Sequence, residues 1–329
     1  MKSPLIRRRE VLLLTGAAAT LGCAPALAQS NHYPNRPITL VVGYPPGGST
    51  DLTARVLAEQ LARSLGQPVV VENVGGAGGA LGAQRVAQAT ADGHTLLLGS
   101  NNEMAIAGLI NPALRYDPVK QFTPVGMVAS QPMVLVASPS AGMPNIAGFI
   151  ERVKQNPGKF SYGSAGVGTA LNLAGEMVKQ AAGLFIVHIP YRGVGPLTTD
   201  LIGGQVELGV YVLSSGLPQI KAGKVVPLGV TERERSPVAP DIPALAETPS
   251  LRHVDIGTWF GLWGPAGLPA PVAQRLRGAL TESLKVPSLV EKLTASGATI
   301  APASAVLADF QAAEIAKYRR IVDHAGIRV

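Results

Sequence analysis

One local pattern recurs along the chain: a short apolar β-branched run, a glycine-rich turn, then apolar residues at helical spacing. Ile38-Thr-Leu-Val-Val42 leads through Gly43-Tyr-Pro-Pro-Gly-Gly48 into Leu52 to Leu65. Val69 to Val71 leads through Asn73-Val-Gly-Gly-Ala-Gly-Gly79 into a helix from about Ala80 to Ala89, and Asp92-Gly93 turns into a strand from Thr95 to Leu98. Successive strand–helix units imply a parallel sheet with helices on its faces, because only a helical crossover returns the chain to the same edge direction.

A second series starts after Pro124. Strands are predicted at Met133 to Ala137, Lys159 to Gly163, Phe185 to Ile189 and Val206 to Val212, with helices at Ile146 to Gln155, Ala170 to Ala181 and Pro196 to Ile202. One more strand is predicted at Val225 to Val230. After it come a proline-rich connector, Ser236 to Pro249, and helices at about Pro271 to Lys285, Pro287 to Ser296 and Ala303 to His324. The last helices have no strands of their own to cover, so they are expected to pack back on the first series. Two α/β lobes follow, with residues 29–128 plus 229–329 in one and 129–228 in the other. The chain would cross between them near 125–132 and again near 223–229, leaving a cleft. No self-similar period of 20 to 50 residues occurs, which excludes a solenoid or propeller.

The composition fits this layout. Of 329 residues 47% are apolar and 15% charged, against about 25% charged in a typical domain, so intrinsic disorder is excluded. With 38 Gly and 27 Pro, about a fifth of the chain, a coiled coil or long helical bundle is excluded too. Residues 1–28 read as an export signal: Lys2, Arg7, Arg8 and Arg9 are basic, Val11 to Leu21 is apolar, and Ala26-Leu27-Ala28 is a cleavage site. The mature chain is expected to begin at Gln29 in the periplasm, by a Sec or twin-arginine route. Cys23 belongs to the discarded peptide, because Thr20 stands where a lipoprotein signal wants Leu. The mature chain then has no disulfide, thiolate nucleophile or Cys metal site. It keeps 24 basic and 20 acidic residues, no footprint for nucleic acid. The longest charge-free stretch after the leader, Gln121 to Ile150, holds four prolines and cannot be a spanning helix.

Three glycine loops sit where ligands bind in open α/β sheets, beyond the carboxyl ends of strands. In Tyr44-Pro-Pro-Gly-Gly-Ser-Thr-Asp51, Gly47 and Gly48 permit close approach of the backbone, Ser49 or Thr50 would cap the helix, and Asp51 complements its dipole. Ser161-Tyr-Gly-Ser-Ala-Gly-Val-Gly-Thr-Ala170 repeats the arrangement, with Thr169 as cap and Ser164 a free hydroxyl. Either loop alone is a plain capped turn; two helix starts converging on one cleft point to a small anion. The third loop, Asn73 to Gly79, has Leu81 where a dinucleotide motif needs its last glycine, and reads as a turn. No catalytic motif stands out. His32, His94, His188, His253 and His324 lack ligand spacing, so no metal and no cofactor are expected. His188 reads as a hydrogen-bonded structural histidine near the cleft, Arg192 as a cation that could meet a ligand charge, Tyr191 as a cleft wall, and Trp259 and Trp263 as core or hinge packing.

These residues, with Ala91-Asp-Gly-His-Thr-Leu-Leu97, Tyr116-Asp-Pro118, Leu173-Ala-Gly-Glu176, His188-Ile-Pro-Tyr-Arg-Gly193, Asp200-Leu-Ile-Gly-Gly-Gln205 and Trp263-Gly-Pro-Ala-Gly267, resemble the Bug family over essentially the whole mature chain. These are periplasmic solute-binding proteins of tripartite tricarboxylate transporters. The resemblance implies a type II periplasmic-binding-protein fold, two α/β lobes that close on a small carboxylate and deliver it to a membrane permease, from a monomeric receptor that is not an enzyme. Tyr44, Gly47, Gly48, Ser49, Thr50 and Asp51 would line one side of the cleft, and Ser164, Gly168, Thr169 and Ala170 the other, often through ordered water. Two departures stand out. Asn172 replaces the family's usual histidine, and Glu207 replaces an aspartate, followed by Tyr211, which is expected to add bulk to the cleft. Selectivity is assigned to wall residues Tyr44, Asn172, Tyr191 and Tyr211. A secreted α/β enzyme acting on a small carboxylate, or a ligand-sensing module of a signalling receptor, remain the alternatives.

Overall fold

The structure, a computed structural model, describes residues 33–325. The export signal, its cleavage after Ala28 and Cys23 lie outside the described residues. Strands β1 (Ile38–Val42), β2 (Val69–Asn73) and β3 (Thr95–Ser100) run parallel in the order β2-β1-β3, with Leu40 opposite Val71 on one side and Leu96 on the other. Helices α1 (Ser49–Leu65) and α2 (Ala80–Ala87) make the crossovers. Strand residues alternate between two apolar layers. Ile38, Leu40, Val42, Leu96 and Leu98 pack under α1, whereas Val41 and Leu97 face the opposite layer with Ala83 and Val86 of α2. Both faces are covered, so the strands are continuous apolar runs rather than alternating ones. Gly66 ends α1 in the left-handed region at φ 75°, its N–H donating to the Ala62 carbonyl.

After β3 the chain enters a π-helical turn, Asn102–Ile106, and a short α3 (Ala107–Ile110). Strand β4 (Phe122–Ala137) follows. Its first part pairs antiparallel with β9 (Gly257–Pro265) from Phe122↔Pro265 to Pro132↔Gly257, and β9 pairs in turn with β3. From Met133 onward β4 pairs instead with β7 (Leu208–Val212) and β8 (Val226–Val230). Strands β5 (Ser161–Ser164) and β6 (Val187–Pro190) continue this second sheet, parallel to each other and to β7. The short β10 (Thr299–Ile300) adds to β4 in the first sheet. Between the second-sheet strands lie α4 (Ile146–Gln155), α5 (Ala170–Ala182), α6 (Val194–Ile202) and α7 (Leu213–Lys221). Helices α8 (Ala270–Ser283) and α9 (Pro287–Ala295) pack beside α1 on the first sheet, through Leu276, Leu280 and Leu293. The last, α10 (Leu307–Ala325), packs through Tyr318 into the layer that holds Met104 and Ile106.

Three expectations change. The first sheet is mixed, because β9, absent from the sequence reading, inserts between β3 and β4 and runs antiparallel to both. Strand β4 starts eleven residues before Met133 and carries Pro124 and Pro132; Pro124 is tolerated beside a register shift, where no ladder bond is required. The return to the first sheet falls at Gly257, not near 223–229, because β8 bonds to the second half of β4 and the connector packs Ala239, Ile242 and Ala244 on the second sheet. The two passages lie side by side: Thr231 N–H donates to the Met133 carbonyl and Ile256 N–H to the Thr231 carbonyl. Among the described residues no helix is long and apolar enough to cross a membrane.

Candidate functional site

Five loops meet beyond the carboxyl ends of β1, β2, β3, β5 and β6 and enclose two adjoining cavities. The outer, about 690 Å³, is walled by Tyr44 to Pro46, Gly75 to Ala80, Ala165 to Val167 and Tyr191 to Gly193. The inner, about 160 Å³, lies between the first turns of α1 (Gly48, Ser49, Thr50) and α5 (Ala170, Leu171), with Asn102, Met133, Val194 and Val212. This is the strand-end position of ligand sites in open α/β sheets. Among the described residues that line either cavity, only Arg192, on the outer rim, carries a charge.

The β1–α1 loop is braced from behind. The expected wall residue Asp51 is buried, 2% exposed, and its carboxylate turns away from the cavities. It accepts from Gly47 N–H at 2.9 Å, Arg55 Nε at 3.0 Å and Asn73 Nδ2 at 2.9 Å. Burial raises its pKa, but these hydrogen bonds outweigh that and hold the carboxyl below the usual range. Gly47, at φ +87°, serves this brace and lines neither cavity. The N-cap of α1 is Gly48 and no side chain caps it, so Ser49 and Thr50 are first-turn residues rather than caps. Both are more than nine-tenths buried, line the inner cavity, and have hydroxyls with no hydrogen-bond partner among the described residues. The α1 first turn therefore presents free donors and the positive end of a 17-residue helix to the inner cavity.

At α5 most of the donors are occupied, and of its first turn Leu171 N–H has no partner among the described residues. Thr169 is the N-cap, its Oγ1 accepting from Asn172 N–H at 3.3 Å and donating to the Gly166 carbonyl at 2.8 Å. Asn172 Oδ1 accepts from Gly168 N–H at 2.9 Å, and its Nδ2 donates to Tyr162 Oη at 2.7 Å. Asn172 is 3% exposed and spans from loop to core rather than facing the cleft. Ser164 is fully buried, not free: its Oγ lies 2.7 Å from His188 Nε2 and also bonds Gly166. His188 packs on Tyr162 with centroids 4.8 Å apart, and burial lowers its pKa. Tyr191 lines the outer cavity and donates to Asp200 Oδ2 at 2.9 Å.

Tyr211 is a correction. It is 1% exposed and packs with Leu201 and Leu217 under α6 and α7, because alternation along β7 sends Leu208, Val210 and Val212 to the opposite layer. The loop Asn73 to Gly79, read as a plain turn, walls the outer cavity. Gly79, at φ +97°, leaves room where a Cβ would meet Glu103 Oε2 at 2.7 Å. Of the thirteen expected wall residues, Tyr44, Gly48, Ser49, Thr50, Ala170 and Tyr191 line the cavities. Gly47, Asp51, Ser164, Gly168, Thr169, Asn172 and Tyr211 sit behind them.

A hydrogen-bonded cluster was not anticipated. Tyr44 Oη donates to the Gly78 carbonyl at 2.7 Å and lies 3.1 Å from Glu103 Oε2. Glu103 is fully buried, and its carboxyl accepts from Ser100 N–H at 2.6 Å and Ser100 Oγ at 2.7 Å. Burial without a cationic partner raises its pKa to about 7. Asn102 closes the cluster, with Nδ2 at 2.6 Å from Tyr44 Oη and Oδ1 accepting from Ala170 N–H at 2.7 Å. The available signal was position: Ser100 ends a strand and Asn101 and Asn102 directly follow it, but no glycine-rich loop marks the site.

Comparison with known proteins identifies the family and the fold. Residues 53–327 match the tripartite tricarboxylate transporter family receptor, TctC. The chain is 36% identical over 313 residues to protein BugT of Bordetella pertussis, covering 94% of this chain and 95% of that one. The solved structure of R. palustris Rpa4515 with adipate superposes with a TM-score of 0.87 at 32% identity, covering 90% of this chain and 99% of that one. MatC from Rhodopseudomonas palustris with bound malate gives 0.83 at 32%, covering 88% and 100%. The chain has the mixed α/β periplasmic-binding-protein fold, and it belongs to the family of tripartite tricarboxylate transporter receptors, non-catalytic solute-binding proteins of the periplasm.

Proposed function

We propose that this receptor captures a small carboxylate in the inner cavity, with one carboxylate group on the first turn of α1, and delivers it to the membrane permease of its transporter. The observation that carries the reading is the uncapped α1 start, where the Ser49 and Thr50 hydroxyls bond no other described residue and open onto a cavity bounded opposite by α5. A dehydrated anion is favourable only where fixed donors replace its water, and this turn supplies backbone N–H groups and two hydroxyls. The adipate and malate in the related structures are of the same chemical class.

In this reading the mature protein starts at Gln29 after export and works as a monomer in the periplasm, with no nucleic-acid partner. Its two lobes are built on the two sheets and close about the paired passages at Pro132–Met133 and Ile256–Gly257. Closure brings the β5–α5 and β6–α6 loops over the β1–α1 loop and presents a continuous surface to the permease. The test is thermal unfolding and calorimetry of residues 29–329 against mono-, di- and tricarboxylates, amino acids and aromatic acids. A bound acid at about 100 times its Kd adds about 2.7 kcal/mol of stability. No shift and no heat with any carboxylate would refute the reading.

A further inference from the structure

Resting on that reading, we propose that Glu103 is a proton site linked to the solute site: as a carboxylate enters the inner cavity, Glu103 Oε2 takes a proton from the solvent, and the receptor holds its solute as an anion plus a proton. The donors and acceptors around Tyr44 Oη balance only with that proton. Ala170 N–H can only donate, so the Asn102 atom 2.7 Å from it is the amide oxygen. The amide nitrogen then donates to Tyr44 Oη at 2.6 Å, and Tyr44 has one proton of its own to give. Two acceptors compete for it, the Gly78 carbonyl at 2.7 Å and Glu103 Oε2 at 3.1 Å. With Glu103 ionised, one of these contacts sets lone pair against lone pair. With a proton on Oε2 directed at Tyr44 Oη, all three are hydrogen bonds. The other partners fit the acid too, Ser100 N–H donating to Oε1 at 2.6 Å and Ser100 Oγ to Oε2 at 2.7 Å. Asn102 follows β3 of the first sheet and Ala170 opens α5 beside the second, so this arrangement exists only where the lobes meet.

The same groups face the solute. Tyr44, Ser100 and Asn102 wall the inner cavity, so a carboxylate held there is one side chain away from Glu103. The other groups packed around Glu103 bring no compensating charge. Gly79 comes from the β2–α2 loop, and the Tyr116 hydroxyl donates to the Glu103 main-chain carbonyl. From α10, Gln311 bonds the Met104 carbonyl and Tyr318 bonds Asn101, while Glu314 is tied to Trp259 and Lys317. Arg85 of α2 is turned outward to Glu72. Among the described residues no Lys, Arg or His pairs with Glu103. Two carboxylates brought this close in water-excluded surroundings raise the proton affinity of the buried one by about tenfold or more. Linkage makes the effect mutual, so the proton raises carboxylate affinity by the same factor. Burial already lifts the Glu103 pKa to about 7, which puts the exchange near neutrality.

Calorimetry of residues 29–329 with malate, adipate and butyrate, each ionised above about pH 6.5, tests this. At about pH 8, heats measured in buffers of different ionisation enthalpy should show uptake of roughly a third of a proton or more per carboxylate bound. Affinity should fall by about tenfold between about pH 6.5 and pH 9. Glu103→Gln carries the donor permanently; it should take up no proton and keep the same affinity at both ends of that range. Uptake by the wild type of less than about a tenth of a proton at about pH 8 overturns the proposal. So does a folded Glu103→Gln that retains the wild-type uptake and pH dependence. Should that variant not fold, the wild-type uptake alone decides. Binding of no carboxylate at any pH refutes the receptor reading beneath the proposal, whereas binding without proton uptake refutes the linkage alone.

Discussion

Glu103→Gln should stabilise this protein at alkaline pH and leave it unchanged at acid pH. Glu103 is fully buried behind the β1–α1 loop, and the groups facing it are hydroxyls and an N–H: Ser100 N–H and Oγ, Tyr44 Oη, and the Tyr116 hydroxyl, which bonds its main-chain carbonyl. Burial moves its pKa from 4.5 to about 7. The folded protein thus binds this proton more tightly than the unfolded chain does. The associated stability is complete below about pH 4.5 and is lost as pH rises through about 7. At about 1.4 kcal/mol per factor of ten in proton affinity, the loss is on the order of 3 kcal/mol. Glutamine copies the protonated form: its oxygen accepts from Ser100 N–H, and its amide donates toward Ser100 Oγ and Tyr44 Oη. Urea unfolding followed by the fluorescence of buried Trp259 and Trp263 should give equal stabilities at pH 4.5 and a variant more stable by about 3 kcal/mol at pH 9. Subtracting variant from wild type cancels every other titrating group. A difference that does not change with pH would refute the reasoning, since the carboxyl would then titrate alike folded and unfolded.

Two further substitutions probe the loop geometry. A Cβ on Gly43 would sit 2.6 Å from the Gly79 carbonyl oxygen and 2.7 Å from its Cα, both backbone, so Gly43→Ala should force the β1–α1 and β2–α2 loops apart. A loss of about 1–3 kcal/mol in urea unfolding and weaker carboxylate binding are expected, and an unchanged midpoint would contradict the close approach. The double variant Ser49→Ala, Thr50→Val removes hydroxyls that bond nothing else in the fold. Its stability should stay within about 0.5 kcal/mol of wild type, while carboxylate affinity falls by at least about tenfold, as expected for hydrogen bonds to a charged group. Undiminished affinity in calorimetry would remove both hydroxyls from the site.

The strands and helices of the two series were legible because their signals are local: Ile146–Gln155 and Ile38–Val42 occur at the bounds their spacing implies. Strand β9 was hidden by its own glycines. Gly261 reads as a breaker, yet it lies mid-strand because a Cβ there would meet the Trp263 ring at 2.6 Å, and Gly99 on the adjacent strand clears the same indole. Helix α7 was hidden by Pro218, which it accommodates while burying Leu213 and Leu217. The site was legible only to the level of its loops. Two loops with the same grammar, strand, glycines, hydroxyl residue, helix, present opposite faces to the cleft. Whether a helix start is free depends on what reaches it from elsewhere, and Asn102 lies 68 residues before the N–H it binds. Nor does local sequence separate Asn102 from Asn101, which turns inward to Tyr318 and the Gly257 carbonyl while its neighbour faces the cleft. The glycine loops announce that an anion can be held; the asparagine that binds the α5 start is visible only once the two sheets stand side by side.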